Sequence, residues 1–212
     1  GLTILYSALI FGIFVIQFRN ESVISKTFGL IKLILSETTD ENNTSSLKNN
    51  FSVSFGGITV FSDYNNLAYI CNDENTPLQL LEWNQLSETA FNLVFQDNIQ
   101  VMFSYPSTEE KIPISIKTIL PPEVTSIALP YKVNGTYTLA EQKTDSLYLV
   151  TKTDQFELNT SKVDNQYIYF DKHQGLATYD VFTKEKVFSF NEAKTLALSS
   201  EDYYKNAVNK VK

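Results

Sequence analysis

One cysteine, one histidine and one tryptophan are present in 212 residues, and each scarcity removes a class of chemistry. A lone Cys71 cannot form an internal disulfide, and a zinc site built on cysteine pairs is excluded for the same reason. Cys71 lies in the apolar run 67–71, LAYIC, which reads as a small buried hydrophobe rather than a reactive thiol. Any Ser-His-Asp or Cys-His system would have to use His173. That residue sits in the polar stretch 171–175, DKHQG, with no nucleophile elbow or catalytic cysteine context nearby. It reads as a surface-loop histidine. Glycine is also scarce, and the pair Gly56-Gly57 lacks the lysine and helix of a phosphate-cradling loop.

Positive charge is short as well. The net charge is −7 and no Lys/Arg cluster occurs, so the chain is a poor partner for nucleic acid. Charged residues make up 19%, below the roughly 25% usual for soluble domains, so global disorder is excluded.

What is abundant is aromatic and β-branched. Aromatics are 13%, nearly all Phe and Tyr, and such side chains suit a pleated, half-buried surface. One long hydrophobic run exists. Residues 2–18 read LTILYSALIFGIFVIQF and carry no charge until Arg19. Seventeen helical residues span roughly 26 Å, close to a hydrocarbon core. No small-x-small cleavage site follows it, and apolar residues cover every face. The expectation is an uncleaved transmembrane signal anchor over residues 1–18, in contact with membrane lipid. Gln17 and Arg19 would lie at the interface. Arg19, Lys26 and Lys32 follow the span, yet a large acidic β-domain after a first hydrophobic segment is the usual form of an exported, tethered protein. The domain is expected on the periplasmic or extracellular side of the inner (cytoplasmic) membrane.

Residues 19–50 read as a juxtamembrane segment and a flexible polar loop. Within them, 22–35 suits either a strand or an interfacial segment. The stretch 36–50, SETTDENNTSSLKNN, shows no periodicity. It lacks the spaced acids, central Gly and closing Glu of an EF-hand loop.

A β-rich extracytoplasmic domain is expected over 51–198. Phe51, Val53 and Phe55 alternate with serines, and Gly56-Gly57 marks a bulge or tight turn. Residues 91–95 and 99–103, around Gln96-Asp97-Asn98, form the clearest hairpin. Pro121-Pro122 breaks the sheet. Residues 124–129 and 131–139 read as strands flanking Pro130. Asn134-Gly135 is a two-residue hairpin signal between Tyr131, Val133, Tyr137 and Leu139. Short strands then follow at 147–150, 155–158, 167–170, 177–182 and 187–190. Many short strands with no long helix between them predict an antiparallel β-sandwich or jelly-roll-like domain. Ser199 and Asp202 stand in a capping-box-like spacing, so 199–212 is expected to be a short C-terminal helix that could lead into a longer chain.

No residue stands out as catalytic, cofactor-binding or metal-binding. Asp73, Glu74, Glu82 and Glu88 could pair as glycosidase acids, but among 24 acidic residues nothing selects a pair. Trp83 reads as core packing, with sugar stacking as the alternative. Asn20, Asn42, Asn43, Asn50, Asn134 and Asn159 begin N-x-Ser/Thr sequons in an Asn-rich chain, and read as composition.

The first functional expectation is therefore a non-catalytic scaffold or protein-interaction module of a cell-envelope assembly, with other envelope proteins as partners. The plan of one N-terminal span and then a β-domain is similar to that of the lipopolysaccharide-transport LptC family. That resemblance is architectural, carries no residues across, and implies a lipid- or glycolipid-handling module as the alternative. A carbohydrate-binding or hydrolytic β-sandwich is the third.

Overall fold

The computed structural model describes residues 21–39, 45–63, 65–72, 74–105 and 114–172, and the backbone of 176–185. The expected anchor, the C-terminal helix, the strand at 187–190 and His173 lie outside the described residues. Among the described residues, no helix is long and apolar enough to cross a membrane.

The molecule is mainly β. Its strands are β1 Glu21–Phe28, β2 Ile31–Thr39, β3 Ser45–Phe55, β4 Ile58–Ser62, β5 Tyr69–Cys71, β6 Thr76–Pro77, β7 Leu80–Gln85, β8 Ala90–Phe95 and β9 Gln100–Ser104. They continue with β10 Ile114–Ile119, β11 Ser126–Val133, β12 Thr138–Gln142, β13 Ser146–Val150, β14 Asp154–Asn159, β15 Lys162–Val163, β16 Tyr167–Asp171 and β17 Leu176–Glu185. Two antiparallel sheets result. The first runs β1-β2-β3-β4-β11-β16-β15, with β5 also on β11 and β6 on β5; the second runs β12-β13-β14-β17-β10-β9-β8-β7. One core joins them, an arrangement consistent with a sandwich.

Alternation builds that core. Phe51, Val53 and Phe55 point inward from β3, and Phe91, Leu93 and Phe95 from β8, all essentially sealed from water. Phenylalanine rings link the sheets in a ladder. Phe28 lies 4.7 Å from Phe91, Phe91 stacks on Phe103 at 5.2 Å, Phe103 meets Phe55 at 5.9 Å, and Phe55 meets Phe156 at 6.3 Å. Each such pair adds about 0.5–1.5 kcal/mol beyond its burial.

The Phe91–Phe103 hairpin forms as the pattern predicts. Asp97 and Asn98 both take the left-handed conformation, at φ 58°, and Phe95 N–H closes the loop on Ile99 O at 2.8 Å. Gly56-Gly57 is a tight turn between β3 and β4 rather than a bulge, with Phe55 paired to Ile58. Gly57 leaves room for packed core side chains: a Cβ there would stand 2.8 Å from Leu149 Cδ1 and 3.1 Å from the Phe156 ring, so both would have to shift.

Four expectations fail. First, the stretch 36–50 is not simply a loop: β2 runs on to Thr39 and β3 starts at Ser45, while 22–35 takes the strand alternative in β1 and β2. Past Leu35 and before Phe51 this ribbon is half-buried or exposed, so both faces are polar and no alternation shows. Second, Pro130 does not separate two strands; it sits inside β11. Tyr131 N–H donates toward Gln166 on the β16 side at 3.2 Å, so position 130 faces the opposite edge. There β5 pairing ends at Ala128 and β4 pairing starts at Tyr131, so no ladder bond is lost. Third, Asn134-Gly135 is a turn but not a hairpin. Tyr137 N–H returns to Asn134 O at 3.0 Å, yet β11 belongs to the first sheet and β12 to the second. Asn134 Nδ2 donates to Gly56 O at 3.1 Å, and its Oδ1 accepts from Thr59 at 2.6 Å. Those contacts with the β3–β4 turn lie where the chain passes from the first sheet to the second. Fourth, Cys71 is half-buried rather than a core residue, because β5 presents it on the outer face of the first sheet.

Candidate functional site

The sheet register brings a furrow to the outer face of the first sheet. On β16, Ile168 and Phe170 point into the core, so Tyr167, Tyr169 and Asp171 point outward. Pairing carries that face across three neighbours. Asp171 faces Ser126 on β11, and Ser126 faces Cys71 on β5. Likewise Lys162 on β15 faces Tyr169, Tyr169 faces Ala128, and Ala128 faces Tyr69. The middle strand thus contributes the small residues Ser126 and Ala128, and the strands on either side contribute large ones. The β5 and β16 backbones stand roughly 9–10 Å apart with β11 between them, and the Tyr69 and Tyr167 rings lean across it into contact, so that Ala128 is buried beneath them and Ser126 is the more open part of the floor. The resulting groove has a volume of about 550 Å³, and Asn75 and Ser161 complete its rim. That volume falls in the roughly 300–1,000 Å³ range of small-ligand sites.

The walls are held in place. The Tyr69 and Tyr167 rings meet edge to face across β11 at 6.0 Å, and Tyr167 packs on Tyr169 at 6.3 Å. Lys162 Nζ lies 4.8 Å from the Tyr169 ring centre. Tyr169 OH donates to Asp164 Oδ2 at 2.9 Å, and the same carboxylate accepts the N–H groups of Gln166 and Tyr167 at 2.8 and 2.7 Å. This is the Asx turn that joins β15 to β16. Tyr131 OH donates to Asp164 O at 2.9 Å. On the far rim, Ser161 Oγ donates to Tyr169 O at 2.7 Å, and Thr125 bonds Cys71 O through its N–H at 3.1 Å and its hydroxyl.

Electrostatics fix the protonation of this frame. Burial, then the hydrogen bond and charge of Asp164, push the Tyr169 phenol up to about 12. Burial opposes the Asp164 charge, but the Gln166 and Tyr167 N–H groups, the Tyr169 hydroxyl and Lys162 outweigh it and hold the carboxyl below its usual range. At neutral pH the pair is therefore phenol and carboxylate. The two contributions run in opposite directions. The Tyr169 contribution to stability is complete below pH 10, its ordinary value, and disappears as pH climbs toward 12. The Asp164 contribution is complete above its ordinary value near 3.8 and is lost as pH falls through the lowered one. In thermal melts across the alkaline range, the melting temperature of the native sequence should fall between pH 10 and 12. A Tyr169→Phe variant should show a shallower fall there. Parallel curves would mean that Tyr169 ionises freely in the folded state.

Other sequence candidates do not converge. Trp83 lies on the core-facing side of the edge strand β7, half-buried and packed against the core, as the packing expectation had it. Glu82 is exposed on the opposite side and accepts from Asn84 at 3.3 Å. Glu74 and Glu88 are exposed on separate loops, and Asp73 lies outside the described residues. Among the described residues, no cluster of His, Cys, Asp and Glu could hold a metal ion. Asn134 is committed to the β3–β4 turn, a structural role that its sequon does not reveal.

No protein family, curated protein or solved structure matches this chain. What the groove can hold follows from its own geometry. It offers aromatic faces, hydroxyls, one amide, one thiol, one ammonium and one carboxylate.

Proposed function

We propose that this chain is a non-catalytic binding module of a cell-envelope assembly, tethered to a membrane through residues 2–18, which holds a ligand in the groove on its first sheet. The observation that carries the reading is the furrow itself: a small-residue floor between rigid tyrosine walls, with a mixed polar rim. Pre-formed aromatic clefts with polar groups in fixed positions are a usual form of recognition site. The tether, the extracytoplasmic side and the interaction role come from the sequence pattern. An antiparallel sandwich of this kind serves them as a rigid carrier. A lipid-handling role would draw support from an apolar groove open at a sheet edge. This groove is instead half polar, and the space between the sheets is filled by phenylalanines.

Purification from native membranes in mild detergent, followed by mass spectrometry for protein, lipid and glycan, tests the proposal. The native chain should carry a component that a folded Ser126→Leu variant, with its groove floor filled, does not. Equal recovery by both would remove the groove from the function. Loss of cellular function in a folded His173→Ala variant would overturn the non-catalytic reading.

A further inference from the structure

We infer that the groove takes a short neutral saccharide. The inference rests on the binding-module reading above and names its ligand class.

Three properties of the groove select that chemistry. The first is the tyrosine walls. An aromatic face carries partial negative charge, and the C–H groups on one face of a pyranose ring carry partial positive charge. The two stack without either losing a hydrogen bond to water. Tyr169 is suited to this, because Asp164 pins its hydroxyl and its ring lines the groove. The second is the rim. Ser126, Asn75 and Ser161 supply neutral hydrogen-bonding groups, and Lys162 and Asp171 supply one charge of each sign. A sugar ring presents hydroxyls that both donate and accept around its edge, which matches such a mixed set. The opposite charges cancel, so the rim selects no net charge in its ligand.

The third is the floor. β11 is already paired on both sides, to β16 along one edge and to β5 and β4 along the other. An extended peptide in this furrow would find no free backbone ladder, and β-strand addition is the main source of affinity for such peptides. A saccharide needs no ladder. A quaternary ammonium is disfavoured on different grounds. Lys162 already supplies the cation on Tyr169, and Tyr69 and Tyr167 meet edge to face instead of turning two faces to one point. An acyl chain would strand the rim's polar groups without partners.

The test uses the full chain in detergent micelles. Short neutral oligosaccharides built on maltose, cellobiose and N-acetylglucosamine are titrated in, and binding is read by calorimetry and by NMR signals of labelled tyrosines. At least one series should bind and shift the resonances of Tyr69, Tyr167 and Tyr169. Its affinity should fall at least tenfold in Tyr167→Ala and also in Ser126→Leu, which blocks the furrow without removing a wall. Circular dichroism and melting temperature confirm that each variant is folded. The same titration is run with a library of extended peptides and with vesicles of phosphatidylethanolamine and phosphatidylglycerol. If a peptide or the vesicles shift the groove tyrosines and no sugar does, the saccharide inference is overturned and the binding module stands. If no probe shifts them, both fail.

Discussion

Replacing Phe103 with Ala should cost about 3–5 kcal/mol of folding stability. The ring sits at the middle of the ladder, fully sealed, stacked on Phe91 at 5.2 Å and tilted against Phe55 at 5.9 Å. Phe91 and Phe103 belong to the second sheet and Phe55 to the first, so truncation opens a cavity between sheets and not at an edge. Domains of ordinary size hold only about 5–15 kcal/mol in all. A single change should therefore lower the denaturant midpoint sharply, and Phe91→Ala combined with Phe103→Ala should prevent folding. The turn joining the same strands should behave otherwise. Asp97 and Asn98 hold φ of 58°, which Gly reaches without a Cβ penalty. Asp97→Gly or Asn98→Gly should shift stability by no more than about 1 kcal/mol. Equilibrium unfolding in urea separates the two classes. Tolerant phenylalanines beside an intolerant turn would contradict a core hairpin.

Legibility in the sequence followed burial. Where one strand face is sealed and the other wet, period two is visible, and β8, β9, β13, β14 and β16 stand where the pattern puts them. Where both faces are polar the pattern vanishes. The outer ends of β2 and β3 pair through their backbones and through hydroxyl contacts such as Thr38 with Ser46 at 3.3 Å, and such residues read as loop. Turn chemistry is local, so Asn134-Gly135 announced a turn but not the sheet to which the chain would pass. Gly56 and Thr59, which decide that, lie far from Asn134 in the chain. The groove was hidden for the same reason. Tyr69-x-Cys71, Ser126-x-Ala128 and Tyr167-x-Tyr169-x-Asp171 each look like an ordinary strand with a polar outer face. Only the register across β5, β11 and β16 sets the small pair between the tyrosines.

A chain beginning at Glu21 should fold cooperatively, and one beginning at Phe51 should not fold at all. The first truncation removes the expected anchor and leaves every described strand. It should leave the membrane fraction and melt in one transition. The second removes β1, β2 and half of β3. Phe28, Ile31, Leu33 and Leu35 go with them, four side chains at 2% exposure or less. At about 1.5–3 kcal/mol each, that is about 6–12 kcal/mol of burial, an upper bound that matches the whole stability of a typical domain. The loss does not stop at area. Phe91 loses its neighbour Phe28 at 4.7 Å, and Leu80 N–H loses Asn49 Oδ1 at 3.1 Å, a tie between the two sheets. What remains of β3 becomes an unpaired edge carrying Phe51, Val53 and Phe55, open to pairing with other chains. The expected product is aggregated protein without a cooperative melt. A soluble, cooperatively melting fragment from Phe51 onward would show that the first three strands are an appendage. An insoluble chain from Glu21 onward would show instead that residues 1–20 belong to the core and do not serve as an anchor.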